Sequence, residues 1–373
     1  MQTKLRYSLL AAATLALSVG AAEIIPTQGS PAGVSIVDPS MAPGHTQVID
    51  GLTLTTDWDK VFDQISTVEH HKVVFHNRFG IKLAADLYLP QERAQGAKLP
   101  AIAVSGPYGA VKEQVSGNYA QRLAAQGFIT LAFDPSFTGE SGGVARFVAS
   151  PDFGSEDFSA AVDYLANRPD VNPEAIGILG ICGWGGFAVN TAANDPRIKA
   201  TVASTLYDMT RVTAKGYNDE ADTKEARQAR RQALSAQRTL DYAALTPKRA
   251  GGVPAQLPAD APQFMQDYHD YYKTERGYHP RSLGSNDGWI FTNDSNLINA
   301  PILAYADEIE NAVLIVHGEQ AHSRYMGETV FHQLKGDNKQ LIIVPNARHT
   351  DLYDDFTKIP LDQIVAFYRN YLK

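Results

Sequence analysis

The stretch GICGWGG, residues 180–186, places the only cysteine of the chain between glycines at the end of an apolar run. The run Ile176–Gly180 reads as a short strand, and FAVNTAAN after the glycines reads as a helix. A strand that turns sharply into a helix holds the residue at the turn in a sparsely allowed backbone region, and neighbours without side chains make that turn possible. Cys182 is therefore the candidate nucleophile. The backbone N–H of Gly183, at the start of the helix, is a candidate donor to an oxyanion. The same helix terminus favours thiolate over thiol. Trp184 stands where a glycine is expected for close helix–strand packing, with Gly185 and Gly186 one position later. The competing stretch GESGG, residues 139–143, fits G-x-S-x-G literally, but a polar loop separates Ser141 from the preceding strand and no periodic helix follows. Ser141 is set aside.

A thiol nucleophile needs a base. His349, in VPNARHTDLYD, lies between the last strand and the closing helix, where an imidazole can reach back to the turn. The acid that would hold its tautomer should follow the strand NAVLIVHG. Glu319 in HGEQAHSRY comes first, with Asp208 at the end of STLYD as the alternative. A second oxyanion donor is expected from SGPYGAVKEQ. Pro107 has no N–H, so Tyr108 is the candidate and Gly109 the reserve. Lys112 and Glu113 either pair at the start of the next helix, or Glu113 faces the thiol. No histidines pair at metal-ligand spacing with carboxylate support, so no metal is expected.

The elements that must position these residues alternate. Strands are expected at HKVVFHN, KLAADLYLP, LPAIAVSG, FITLAFD, IGILG, IKATVAST, NAVLIVHG and KQLIIVP, the first two joined by a hairpin at Arg78–Gly80. Helices are expected over residues 118–126, 156–167, 187–194 and 361–372. This pattern predicts an α/β fold: a mostly parallel sheet flanked by helices. Residues 208–311 break the rhythm with polar, charged and Pro/Gly-rich stretches. They are read as a helical cap over the edge of the sheet where such folds bind ligands.

Lys4 and Arg6, the apolar run Leu9–Val19 and the small residues Gly20-Ala21-Ala22 read as a signal peptide over 1–22, implying export, to a bacterial periplasm or by secretion, and no stable membrane association after removal. Residues 23–55 read as an extended arm, and 56–373 as the folded domain. The chain has 373 residues and a formal net charge of -8, which argues against nucleic acid as a partner. One cysteine allows no intrachain disulfide. Oligomeric state is left open.

Taken together, GPYGAVKEQ, FDPSFTGESGG, GILGICGWGG, YYKTERGYHP, HGEQAHSRY and NARHTDLYD resemble the α/β-hydrolase superfamily, and within it the dienelactone-hydrolase-like branch with a cysteine nucleophile. The resemblance runs from about residue 70 to the C-terminus. It implies an α/β-hydrolase fold, a Cys182–His349 pair with a nearby carboxylate, no cofactor, and hydrolysis of esters, lactones or related small acyl compounds through a thioester. Ala321 stands where dienelactone hydrolases carry an aspartate. Tyr268, Tyr271, Tyr272 and Tyr278 of the cap are candidates for lining an acyl or alcohol pocket. A peptidase of related fold and a non-catalytic binding protein are the alternative readings.

Overall fold

The computed structural model describes residues 45–244 and 246–373. The expected signal peptide and most of the expected arm lie outside them. Within the described residues no helix is long and apolar enough to cross a membrane.

The expectation of an extended arm up to residue 55 is corrected at its C-terminal end. Strands β1 (Thr46–Ile49) and β2 (Leu52–Thr55) form an antiparallel ribbon. Its turn is Asp50-Gly51, with φ of 45° and 81°, the Asp-Gly signal of a two-residue hairpin. The alternation in LTLT buries Leu52 and Leu54 against Ala84 and Val74. Ordered structure thus begins ahead of residue 56.

The main sheet contains β3 (Val68–His76), β4 (Lys82–Pro90), β5 (Leu99–Ser105), β6 (Ile129–Phe133), β7 (Val171–Ile181), β8 (Ile198–Ser204), β9 (Ala312–Gly318) and β10 (Lys339–Val344). Its spatial order is β10-β9-β8-β7-β5-β6-β4-β3. The six strands from β5 onward pair in parallel, while β4 runs antiparallel to both β3 and β6. Parallel strands are covered on both faces, which explains why β5, β6, β7 and β9 read as continuous apolar runs. One face is covered by α1 (Val115–Ala124) and α9 (Leu361–Tyr371), whose apolar sides join Tyr88, Val104, Leu179 and Val316 in one core cluster. On the other, α2 (Pro151–Ala166) and α3 (Gly183–Asn194) pack with Phe133, Ile178 and Phe187.

Residues 205–311 intervene between β8 and β9. They carry α4 (Met209–Lys215), α5 (Lys224–Ala244) and α6 (Gln263–Lys273). Leu234 is the one buried residue of α5, and polar contacts such as Arg230 to Asp294 also hold that helix.

Where β1–β2, the β3–β4 edge, the Tyr108 loop and residues 279–281 meet, charges are buried together. Lys112 is fully buried and contacts Asp134 at 2.7 Å, Glu113 at 2.7 Å and Glu140 at 2.6 Å. Lys72 reaches Asp86, Glu113 and Glu140, and Arg281 reaches Asp59 and Glu113 at 2.6 and 2.9 Å. Glu113 therefore belongs to this network and does not face the thiol. Burial alone would lower the Lys112 ammonium, but Asp134, Glu113 and Glu140 beside it raise it well above its ordinary value. Burial likewise works against the Glu113 carboxylate, yet Arg281, Lys112 and Lys72 hold it well below the usual range. A folded-state pKa below the unfolded one contributes stability that is present above the unfolded value and lost as pH falls through the folded one. Glu113 and Asp86, lowered by Lys60 and Lys72 against its burial, thus make the fold acid-labile below the ordinary carboxylate range. Glu113→Gln leaves Arg281 and Lys112 under-compensated in the interior, and urea denaturation at pH 7 is expected to show a loss of about 3–5 kcal/mol.

Candidate active site

Strand β7 delivers Cys182 to the turn and α3 begins immediately after it. Cys182 has φ 55° and ψ −123°, a conformation an L-residue adopts only when its surroundings impose it. They do so through three backbone hydrogen bonds: Cys182 N–H to Ser204 O at 3.0 Å, and Gly185 and Tyr207 N–H to Cys182 O at 2.9 and 2.8 Å. A Cβ on Gly180 would lie 2.1 Å from the Trp184 carbonyl oxygen, so the crossing of strand and helix tolerates no side chain there. The close approach for which a glycine was expected at the Trp184 position is thus made by Gly180 from the strand side. The Trp184 side chain points away into the core, edge-on to Phe133, Phe158 and Phe187.

The backbone N–H groups of Tyr108 and Gly183 both act on the Cys182 sulfur. These are the two N–H groups singled out from the sequence as candidate oxyanion donors. Tyr108 is held by its side chain, which stacks on Trp289 at 4.3 Å and accepts a 2.7 Å bond from Asn293. Burial pushes the Cys182 thiol up, outweighing the Tyr353 and Tyr268 hydroxyls and these N–H groups, all of which pull it down. The helix terminus therefore does not yield the resting thiolate that its position implied.

His349 is fully buried in the loop after β10, as placed from the sequence, but its partners differ from those expected. Its Nδ1 lies 2.7 Å from Ser323 Oγ and 2.9 Å from Thr205 Oγ1, and its Nε2 lies 3.1 Å from Tyr353 Oη. With the proton on Nδ1 the ring donates to the two hydroxyl oxygens, and Nε2 accepts from Tyr353. Tyr353 also interacts with the thiol and lines the same cavity as Cys182. Burial first, then His322 and His317 nearby, hold His349 well below the ordinary histidine range, which keeps the ring neutral. Thr205 reaches His349 from φ 45°, a left-handed backbone that β-branched residues rarely adopt.

The assignment of Glu319 as the acid is corrected. Glu319 is exposed, and its carboxylate accepts the Asn346 N–H at 2.9 Å. Asp208, the alternative, caps α4 by accepting from the N–H groups of Thr210 and Arg211 and from the Thr210 hydroxyl. The two nitrogens of His349 meet hydroxyls instead of carboxylates. Ser323, two residues beyond Ala321, stands at Nδ1 where a carboxylate was expected. Ser141 is a structural staple: its hydroxyl donates to Asp134 O at 2.6 Å and accepts from Ala84 N–H at 2.8 Å.

Cys182 opens onto a cavity of about 200 Å³. Aromatic groups dominate its wall, among them Tyr207, Tyr268, Tyr272, Trp289 and Phe291. Of the four tyrosines proposed for the pocket, Tyr268 and Tyr272 line it. Tyr271 packs against Tyr353 at 5.0 Å, and Tyr278 is largely exposed. Most of this wall comes from the segment between β8 and β9.

Comparison with known proteins places this architecture. The family model described as X-Pro dipeptidyl-peptidase (S15 family) matches residues 80–351, most of the chain and all of the elbow. The chain belongs to the S15 family. This S15 member is 50% identical over 369 residues to the uncharacterized protein PA2218 of Pseudomonas aeruginosa, covering 99% of this chain and 95% of that one. The crystal structure of PA2218 superposes with a TM-score of 0.83 and 53% identity, over 86% of this chain and 99% of that one. The α/β hydrolase GrgF from Penicillium sp. shares 19% identity and a TM-score of 0.63 over 82% of this chain and 99% of its own, which establishes the shared fold. Over 134 residues, 36% of this chain and 41% of the relative, the sequence is 34% identical to the thiohydrolase aneE of Aspergillus aculeatus. The protein is a hydrolase-family member of α/β fold.

With its thiol raised by burial, Cys182 is expected to react slowly with iodoacetamide at pH 7. Labelling followed by mass spectrometry should accelerate continuously as pH rises past the ordinary thiol value, because the thiolate is the reacting species.

Proposed function

We propose that this chain is an acyl hydrolase of dienelactone-hydrolase-like chemistry, with Cys182 as nucleophile and His349 as base, acting on small esters, thioesters or lactones with an apolar acyl group. The observation that carries the reading is the convergence on one sulfur of a strained elbow, two backbone N–H donors and a hydroxyl-linked imidazole. Partial similarity to a thiohydrolase supports the acyl-thio chemistry.

In the first half-reaction the Cys182 sulfur attacks the acyl carbonyl while its proton passes through the Tyr353 hydroxyl to His349 Nε2. The carbonyl oxygen, now negative, lies against the N–H groups of Tyr108 and Gly183, which are already oriented and need no reorganisation. Collapse expels the leaving group, formally as alkoxide or thiolate, and leaves a thioester on Cys182. Water then adds to the thioester and gives up a proton that ends on the expelled oxygen or sulfur, the acid departs, and His349 returns its proton to the sulfur. Because the resting thiol and imidazole are both neutral, proton transfer accompanies attack; there is no preformed ion pair. Ser323 and Thr205 take over the orienting part of a triad acid, but without a carboxylate they add no countercharge for the imidazolium.

The family model favours a second reading, cleavage after an X-Pro dipeptide. Such a substrate brings a charged α-amine into the site. The carboxylate at the cavity, Asp294, is already engaged by Arg230, and the rest of the wall is largely apolar and aromatic. The acyl reading is therefore preferred.

The test is a panel of p-nitrophenyl esters, acyl thioesters and X-Pro p-nitroanilides. Esters and thioesters are expected to turn over. Cys182→Ala should abolish that turnover and His349→Ala should reduce it by about 10²–10⁴-fold, while Glu319→Gln keeps wild-type rates. Ester turnover undiminished in Cys182→Ala, or turnover of the p-nitroanilides alone, would refute the proposal. A second outcome concerns pH. The neutral form of His349 is the active one and its titration is depressed, so the acid limb of kcat/KM should lie below the ordinary histidine range.

A further inference from the structure

Two tyrosine–histidine pairs converge on the sulfur, and the reaction above uses one of them. The second is Tyr268, from α6, and His322, from the loop after β9. Tyr268 Oη lies 3.3 Å from His322 Nε2, and the Tyr268 hydroxyl interacts with the Cys182 sulfur, as that of Tyr353 does. Both Tyr268 and His322 line the cavity, whereas His349 lies behind Tyr353 and does not. The His322 ring is fixed by stacking on Phe264 at 4.9 Å and 24°, and stands 4.8 Å from the ring of His349.

This arrangement exposes a gap in the proton accounting. The pair Tyr353–His349 takes the thiol proton, and only its tyrosine lines the cavity where the leaving group departs; the ring that holds the proton, His349, does not. An alkoxide is too basic to leave unprotonated, so an oxygen ester needs a donor on the cavity side. We infer that Tyr268 is a further catalytic residue, the proton donor to the leaving-group oxygen, and that His322 is its positioning residue. The inference rests on the acyl-hydrolase reading and deepens it.

The step balances as follows. The sulfur–carbon bond forms as the thiol proton moves to His349. The carbon–oxygen bond then breaks as the Tyr268 O–H proton passes to the departing oxygen, leaving a phenolate opposite the imidazolium of His349. In the second half-reaction water adds to the thioester and gives its proton to the Tyr268 oxygen. The carbon–sulfur bond breaks and the imidazolium returns its proton to the sulfur. His322 stays neutral throughout, since burial pushes it down to about 3. With its proton on Nε2 it donates to the Tyr268 oxygen and supports the transient phenolate. Burial first, and then the neighbouring Cys182, Tyr207 and Tyr272, raise Tyr268 well above the ordinary phenol value, so it rests protonated, and the greater basicity of a departing alkoxide is what draws its proton.

The prediction concerns leaving groups. In Tyr268→Phe, kcat/KM for an alkyl ester should fall by about 10²–10⁴-fold. The loss should be at least tenfold smaller for the p-nitrophenyl ester and the thioester of the same acyl group, whose leaving groups depart as anions. The discriminating quantity is the ratio of alkyl-ester to p-nitrophenyl-ester kcat/KM within one preparation, which is independent of the folded fraction. His322→Gln, which keeps a side-chain N–H donor, should shift the ratio in the same direction by less, and His322→Phe by more. An equal loss across the three leaving groups, or an unchanged ratio, would show that Tyr268 only packs the pocket, while the Cys182–His349 reading stands. If Cys182→Ala retains ester turnover, or if wild-type enzyme cleaves none of the three, the acyl-hydrolase reading fails and this inference with it.

Discussion

The buried charge network beneath the Tyr108 loop is the constraint on which the rest of the site depends. Asp59, Asp86, Glu113, Asp134 and Glu140 share Lys60, Lys72, Lys112 and Arg281 in a space closed to water. Each ion alone would carry a desolvation penalty of several kcal/mol, so the loss of any partner leaves another ion under-compensated. The partners come from the segment after β2, the sheet edge, the Tyr108 loop, the GESGG turn and the segment after α6. These regions can only be ordered together. One product of that ordering is a fixed loop: Lys112 N–H donates to Asp134 at 2.8 Å and Val61 N–H to Glu113 O at 3.0 Å, a few residues from the Tyr108 N–H that faces the sulfur.

The candidate active site is built on the opposite electrostatic principle. Around Cys182 and His349 the polar contacts are hydroxyls and backbone N–H groups, and burial drives both titratable side chains toward their neutral forms. A charged pair at rest would be unfavourable there, but a dipole aligned in advance gains strength in the low dielectric. The elbow and the Tyr108 loop supply such dipoles, and each is locked by contacts remote from the sulfur. Rigidity is thus provided by charge at a distance, and reactivity by neutral groups nearby.

Much of this was legible in the sequence, because the signals were local. Alternating apolar runs and helical stretches specified the sheet, and the glycines around Cys182 specified the turn whatever the partners were. His349 followed from its place after the last strand. The acid did not, because orientation here is supplied by Ser323 and Thr205, and Thr205 reaches the ring through a backbone geometry no propensity predicts. The Asp50-Gly51 hairpin was a readable signal, hidden within a Pro- and Gly-rich stretch. The ion network was out of reach for a different reason: its members are separated by more than two hundred residues, and a lone Lys112-Glu113 dipeptide does not announce it.

The segment between β8 and β9 is bolted down on both flanks of the cavity. On one side the N–H groups of Leu283 and Gly284 and the hydroxyl of Ser282 all donate to Gly109 O, next to Tyr108. On the other, Arg276 grips Asp354 at 2.6 Å and Thr350 O at 2.8 Å, beside His349. A roof fastened to the oxyanion loop and to the histidine loop cannot lift without dismantling both. Under the proposed acyl-hydrolase reading, a wall held in this way makes the fit of the acyl group a matter of fixed dimensions.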